Sequence, residues 1–286
     1  MSLCCLKLSL FCGPLHIFKY LYLREYSSTQ TLQISILCDY VTFCLVLGYY
    51  SLHYMKYTHL FFDMDGTVSL SRTKILPKMK DLLTTILKDR TIVIISGSIE
   101  SQMSYQMEGV PIIKMCQNGN HVILPEQDEL WNEPLTEDEK SEITEHANKI
   151  LAVCTHEVPN RNDLLEIRGA QISLSLYGHH ADPVIKRAFD PDFAKRKALL
   201  AQFPFESDKI EVKIGGTTTF DYFPKGKNKG FNINRFITHM NWDKNECLFF
   251  GDALFPGGND ETVVGVIETV AVTDPEDTIL KLQELL

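Results

Sequence analysis

The sequence predicts an α/β fold: a Rossmann-like parallel sheet covered by helices, carrying an inserted α+β domain. Three observations predict it. From Thr58 onward, short apolar runs alternate with stretches of helical spacing, which is the pattern of parallel strands joined by crossover helices. Residues 124–223 instead read as αββαββ, the grammar of a separate α+β unit set into the first. The first 54 residues stand apart again, with five charged residues (Lys7, Lys19, Arg24, Glu25, Asp39) among Leu, Phe, Tyr and Cys.

The elements follow in order. In the first segment, residues 32–52 are apolar and long enough to span a bilayer, but they contain Asp39 and have weak polar flanks. No short apolar region ending in small residues marks a secretory signal. The favoured reading is that translation starts at Met55 and residues 1–54 come from a misplaced start. Membrane association is then expected only if that segment is genuine. Core strands are expected at 58–64, 91–96, 112–116, 247–251 and 268–273. Between the first two, residues 75–88 place Met79, Leu82, Leu83, Ile86 and Leu87 at helical spacing, with Pro77 in the first turn. In the inserted domain, Thr136 and Glu139 form a capping-box signature that opens a helix to about Val153. Strands at 164–168 and 170–176, a helix at 192–202 and strands at 210–214 and 217–223 complete it. The core is thus expected at 55–123 and 224–286.

Composition narrows the function. A chain of 286 residues with 44% hydrophobic content can bury a sizeable core. Its formal net charge of −9 and lack of a Lys/Arg-rich block argue against a nucleic-acid partner. Of the 8 cysteines, only Cys116, Cys154 and Cys247 lie beyond residue 44, and no CxxC or zinc-type spacing occurs. Reduced thiols and a cytoplasmic location are expected.

Four segments carry chemistry. Asp63-Met64-Asp65-Gly66-Thr67 follows a buried strand, so two carboxylates stand at the edge where open α/β sheets bind ligands. They need a cation, and Mg²⁺ with a substrate phosphate fits that demand. Gly66 permits a sharp turn, and Thr67 offers a hydroxyl to a phosphate. Ser96-Gly97-Ser98 ends a second strand, where a hydroxyl and backbone N–H groups can cradle phosphate oxygens. Lys229 stands at the start of a helix, adding charge to an anion-attracting terminus. Asp252 ends a third strand, and Asn259 and Asp260 return to the same edge after Pro256-Gly257-Gly258, as direct and supporting magnesium ligands would.

In this order, the four segments resemble the haloacid dehalogenase superfamily of phosphoryl-transfer enzymes. The insertion looks like that superfamily's C2B cap. Phe250-Gly251-Asp252 with Pro256 to Asp260, Gln117-Asn118-Gly119-Asn120 and Gly215-Gly216 ahead of Phe220-Asp221 are similar to the eukaryotic-type phosphomannomutases and related sugar-phosphate phosphatases. The resemblance implies that Asp63 is the nucleophile and Asp65 the general acid/base. It implies Mg²⁺ held by Asp63, the Asp65 carbonyl, Asp252 and Asp260, with Asn259 behind them. Ser96 and Lys229 would hold the transferring phosphoryl group, with Thr67 and Gly97 beside it. A phosphosugar substrate follows, and a homodimer through the cap fits the same family.

The cap departs from the mutase pattern. Arg168 matches one of the arginines by which the mutases grip a second phosphate, but His179 stands where they resemble one another in having Arg. Lys186 and Arg187 compete for a further such position. Imidazole is mostly uncharged at neutral pH and lacks the guanidinium fork. The sequence therefore favours hydrolysis of a sugar phosphate, with phosphomannomutase activity as the alternative and a catalytically silent binding module well behind both.

Overall fold

The computed structural model describes residues 56–285, together with two strands nearer the N-terminus. Those strands, β1 (Cys5–Leu8) and β2 (Lys19–Tyr22), pair antiparallel, with Cys5 opposite Tyr22. The chain divides into two compact units, Met1–Tyr54 and Met55–Leu286. The expected start at Met55 and the apolar span 32–52 lie outside the described residues. Among the described residues, no helix is long and apolar enough to cross a membrane.

In the second unit, β3 (His59–Asp63) buries Leu60, Phe61 and Phe62 completely. Each such aromatic or aliphatic side chain contributes roughly 1.5–3 kcal/mol on leaving water. Helix α1 (Pro77–Ile86) begins with proline at its first turn, as expected, and buries Met79, Leu83 and Ile86 on one face. It leads to β4 (Thr91–Ile95), whose β-branched run suits a strand covered on both faces. Helix α2 (Glu100–Met107) and strand β5 (Ile113–Cys116) follow. Strands β6 (His121–Ile123) and β7 (Glu129–Asn132) then extend the same sheet antiparallel. This corrects the expected domain boundary: β7 falls within 124–223 but belongs to the core sheet.

The cap opens with α3 (Glu137–Val153), whose Thr136 and Glu139 form the capping box reciprocally. It continues through β8 (Leu165–Ile167), β9 (Ile172–Ser175), α4 (Pro183–Phe189), α5 (Ala194–Gln202), β10 (Ile210–Gly215) and β11 (Thr219–Pro224). Its four strands form one antiparallel sheet in the order β10-β11-β9-β8. Ile143, Ala147, Ile150, Leu174 and Phe220 lie in a core of the cap's own. Helix α4 escapes the sequence pattern because Val184 and Ile185 are exposed and leave no apolar stripe.

The chain returns through α6 (Lys229–Met240), β12 (Cys247–Gly251), β13 (Glu268–Ala271) and α7 (Pro275–Leu285). The core sheet runs β13-β12-β3-β4-β5-β6-β7, parallel from β13 to β5. Leu60 and Phe62 join a cluster with residues of α1, α2 and α7, while Phe61 joins one with Ile233, Phe236 and Ile237 of α6. That alternation places helices on both faces of the sheet. From β3 the chain builds β4 and β5 on one side and later adds β12 and β13 on the other. The boundary between β3 and β12 is therefore the topological switch point, where the crevice at the strand ends receives a ligand.

Candidate active site

Asp63 ends β3, and Asp252 follows the last residue of β12, so the switch point brings both acids to one edge. Carboxylate oxygens of Asp63, Asp252 and Asp260 lie within 4.8 Å of one another. Lys229 Nζ, completely enclosed, donates to Asp63 Oδ1 at 2.5 Å and to Asp260 Oδ1 at 2.7 Å. Two glycines permit this closeness. A Cβ on Gly230 would come within 1.8 Å of the Thr262 carbonyl, so only glycine lets the first turn of α6 rest on the turn after Asp260. Gly66 has φ +97°, and a Cβ there would stand 2.5 Å from Asp252 Oδ2.

The electrostatics follow from three carboxylates sharing one ammonium. Burial pushes Asp63 well above the usual carboxylate range; Lys229 pulls it down, but Asp260 and Asp252 push it up again. Burial and then Asp260 raise Asp252 to about 6, against the pull of Lys229. Burial alone would lower the Lys229 ammonium, but Asp260 and Asp63 outweigh it and hold it above its ordinary value. A cluster short of positive charge, with oxygens this close, has the donor set of a hard divalent cation.

Asp65 faces elsewhere. Its Oδ1 accepts from Gln106 Nε2 at 3.1 Å and from the Arg72 N–H at 3.1 Å. Gln106 is fully buried, also donates to Ser69 Oγ at 2.8 Å, and has its own Oε1 held by Gln102 Nε2 at 2.9 Å. The sequence reading missed Gln106. A polar residue between Met103 and Met107 on the buried face of α2 is the signal that could have revealed it.

Ser96 follows β4 directly, and Ile95 pairs with Asp63, so the hydroxyl lies one residue past the nucleophile candidate's level in the sheet. Its Oγ accepts the Ser98 N–H at 3.1 Å. Thr67 is buried, and among the described residues its Oγ1 has no hydrogen-bond partner. Gly97 meets the cap: its carbonyl accepts from Arg168 Nη1 at 3.2 Å.

The cap residues gather around Glu166. Its Oε2 accepts from Arg168 Nε at 2.7 Å and also from Arg168 Nη2, and Arg72 Nη2 reaches both its oxygens, at 3.0 and 3.3 Å. Burial would raise Glu166, but the charges of Arg168, His179 and Arg72 lower it to about 2. Arg72 comes from the core loop beyond Thr67, so this carboxylate ties cap to core. Alternation along β8 puts Glu166 and Arg168 on one face, a signal present in the sequence but unread. His179 is 3% exposed. Its Nε2 donates to the Ser173 carbonyl at 3.1 Å, and its Nδ1 accepts from Arg168 Nη2 at 3.4 Å. Burial, reinforced by Arg168 and opposed by Glu166, lowers His179 to about 4, so the ring is neutral at physiological pH. Lys186 Nζ donates to the His179 carbonyl at 2.9 Å, and burial followed by Arg72 lowers its pKa.

Two expected site residues are not brought in. Arg187 is exposed on α4, whereas Lys186 turns toward His179. Asn259 is exposed at the turn, and the Ala253 N–H instead donates to Asp260 Oδ2, at 3.3 Å.

The model of the eukaryotic phosphomannomutase family matches residues 79–286. The chain belongs to that family. Phosphomannomutase 1 of Dictyostelium discoideum is 27% identical over 244 residues, covering 78% of this chain and 94% of the relative. The phosphomannomutase of Drosophila melanogaster is 28% identical over 246 residues, covering 79% and 94%. Among solved structures, a haloacid dehalogenase-like hydrolase from Bacteroides thetaiotaomicron aligns with a TM-score of 0.53 at 13% identity, covering 81% of this chain and all (100%) of that one. IMP-bound IMP-nucleotidase from Plasmodium falciparum aligns with a TM-score of 0.57 at 14% identity, covering 80% and 68%. These likenesses establish the haloacid dehalogenase fold of this phosphomannomutase-family chain. The family match begins beyond Thr67, so the place of Asp63 and Asp65 in the site rests on the geometry above.

Proposed function

We propose that this chain interconverts mannose 1-phosphate and mannose 6-phosphate by magnesium-dependent phosphoryl transfer through a phosphate carried on Asp63. Family and fold make it a phosphoryl-transfer enzyme. The observation that carries the reading is the enclosed Asp63–Lys229–Asp260 arrangement, with Asp252 alongside, at the switch point of a chain in this family. The hydrolysis favoured by the sequence is the less well supported of its two readings, because the matched family and the relatives above are mutases.

Asp63, Asp252 and Asp260, joined by the Asp65 carbonyl, would hold the ion. Bound there, Mg²⁺ supplies charge to offset the oxygens of the transferring phosphoryl group. Lys229 engages Asp63 Oδ1, which leaves the other carboxylate oxygen to attack phosphorus in line. As the phosphorus–oxygen bond to the sugar breaks, Asp65 gives its proton to the leaving oxygen. It then takes a proton from the hydroxyl that attacks the aspartyl phosphate. Ser96 and Lys229 steady the group in transfer, and cap closure excludes water. A homodimer through the cap belongs to the same reading, supported by the exposed Ile167, Val184 and Ile185. The enzyme is taken to act on free sugar phosphates in the cytoplasm.

Hydrolysis keeps one specific observation in its favour. His179 is buried, neutral and spent on Ser173 and Arg168, so it adds no charge to a second phosphate site. The two readings part when mannose 1-phosphate is incubated with Mg²⁺ and a hexose bisphosphate activator while isomer and inorganic phosphate are both followed. Isomer formation with little phosphate release is expected; phosphate release without isomer would overturn the mutase reading.

A further inference from the structure

Where the cap rests on the core, Gln171 is completely buried. Its Oε1 accepts from Asn118 Nδ2 at 2.9 Å. Asn118 is itself fixed: its N–H donates to the Ser96 carbonyl at 2.8 Å, and its own carbonyl accepts from Asn232 Nδ2 at 2.8 Å. These bonds hold the Asn118 backbone, and with its Nδ2 toward Gln171 the Gln171 amide presents its oxygen to Asn118. The Gln171 NH₂ is then turned away from Asn118, and among the described residues it has no hydrogen-bond partner. A Cβ on Gly97 would lie 3.3 Å from Nε2, so the donor lies alongside the Ser96-Gly97-Ser98 turn. Proteins leave few such groups unpaired.

The neighbouring Arg168 is donor-only and cannot pair with the Gln171 NH₂. Arg168 already spends its Nε, both Nη2 hydrogens and one Nη1 hydrogen on Glu166, His179 and Gly97. Gln171 is a neutral donor with both N–H groups unspent, at the turn where the site's phosphoryl-binding hydroxyl lies.

We propose that Gln171 is a substrate contact, its side-chain amide donating a hydrogen bond to an acceptor oxygen of the phosphosugar bound against the Ser96–Gly97 turn. The proposal rests on the phosphosugar reading of the site. Being uncharged, the contact selects for the placement of an oxygen and adds nothing to charge neutralisation. Its loss leaves a substrate oxygen unpaired, which sites of this kind discriminate against strongly.

Two variants test it. Gln171→Met keeps the length and removes the donor together with the oxygen that accepts from Asn118. Gln171→Glu keeps an oxygen for Asn118 and replaces the donor with a charged acceptor. Steady-state kinetics with mannose 1-phosphate, inhibition by inorganic phosphate and thermal melting are measured for both. Gln171→Met is expected to lower kcat/KM about 10-fold or more while melting near the parent temperature, with Gln171→Glu lower still and melting earlier because its carboxylate is enclosed. A parallel rise in the phosphate inhibition constant identifies a phosphoryl oxygen as the acceptor, and an unchanged one identifies a sugar hydroxyl. An active parent whose two variants keep kcat/KM within about twofold overturns the contact alone. A parent that turns over no phosphosugar overturns the functional reading and the contact with it.

Discussion

At the residue scale, the site holds pairs of similar groups given different work by their surroundings. Asp63 is enclosed with Lys229, whereas Asp65 is partly exposed and held through one oxygen by Gln106 and the Arg72 N–H. Replacing Gln106 by Leu removes a bond to Asp65 while filling the same apolar face. It is expected to lower kcat roughly 10- to 100-fold, with KM within about twofold, measured under saturating Mg²⁺. His179 gives a pH signature. Its folded pKa of about 4 lies below the ordinary 6.5, so the unfolded chain binds more protons between those values, and stability is lost as pH falls through that window. His179→Gln is expected to flatten the fall by on the order of 3 kcal/mol, read from urea unfolding at pH 4 and pH 7. Asp63, Asp65, Asp252 and Asp260 were legible in the sequence because strand-end acids have a spacing. Gln106 and Glu166 carry only faint local signals, and their roles become plain through Asp65 and Arg72, brought from elsewhere in the chain.

At the scale of elements, strong local signals were kept and weak ones lost. Pro77 with its apolar stripe and the Thr136–Glu139 box specify helices whatever packs on them. Thr136→Ala removes a cap that bonds both ways and is expected to cost about 1 kcal/mol in thermal unfolding, with kcat unchanged. Helix α4 has only seven residues and exposes its aliphatic side chains, so periodicity says nothing of it. Strand β7 falls within the expected cap because its pairing with β6 is decided by the sheet edge and not by its own alternation. The loop after β3 is the element on which the metal site turns. Gly66→Ala is expected to cost roughly 1–3 kcal/mol of backbone strain and to push Asp252 aside. The apparent Mg²⁺ activation constant should rise at least several-fold; an unchanged constant would remove Asp252 from the ion's ligands.

At the scale of the whole molecule, the order of the strands explains why four short segments far apart in sequence meet. Building the sheet outward in both directions from β3 leaves a crevice at one edge, and the acids and the lysine are the residues at which the chain enters or leaves it. The alternation of strands and helices made that much readable. The cap's closure was not readable, because it depends on Glu166 bridging Arg72 and Arg168, and on Gln117 accepting the Ala170 N–H at 2.5 Å, between segments with no common pattern. The central claim is that Asp63 carries the phosphoryl group, and it is tested most directly by acid-quenching the Mg²⁺-loaded enzyme during turnover of radiolabelled hexose bisphosphate and mapping the label. The label is expected on the peptide bearing Asp63, released by hydroxylamine and absent from an inactive Asp63→Asn variant; substantial turnover by that variant, or label on another peptide, would contradict the claim.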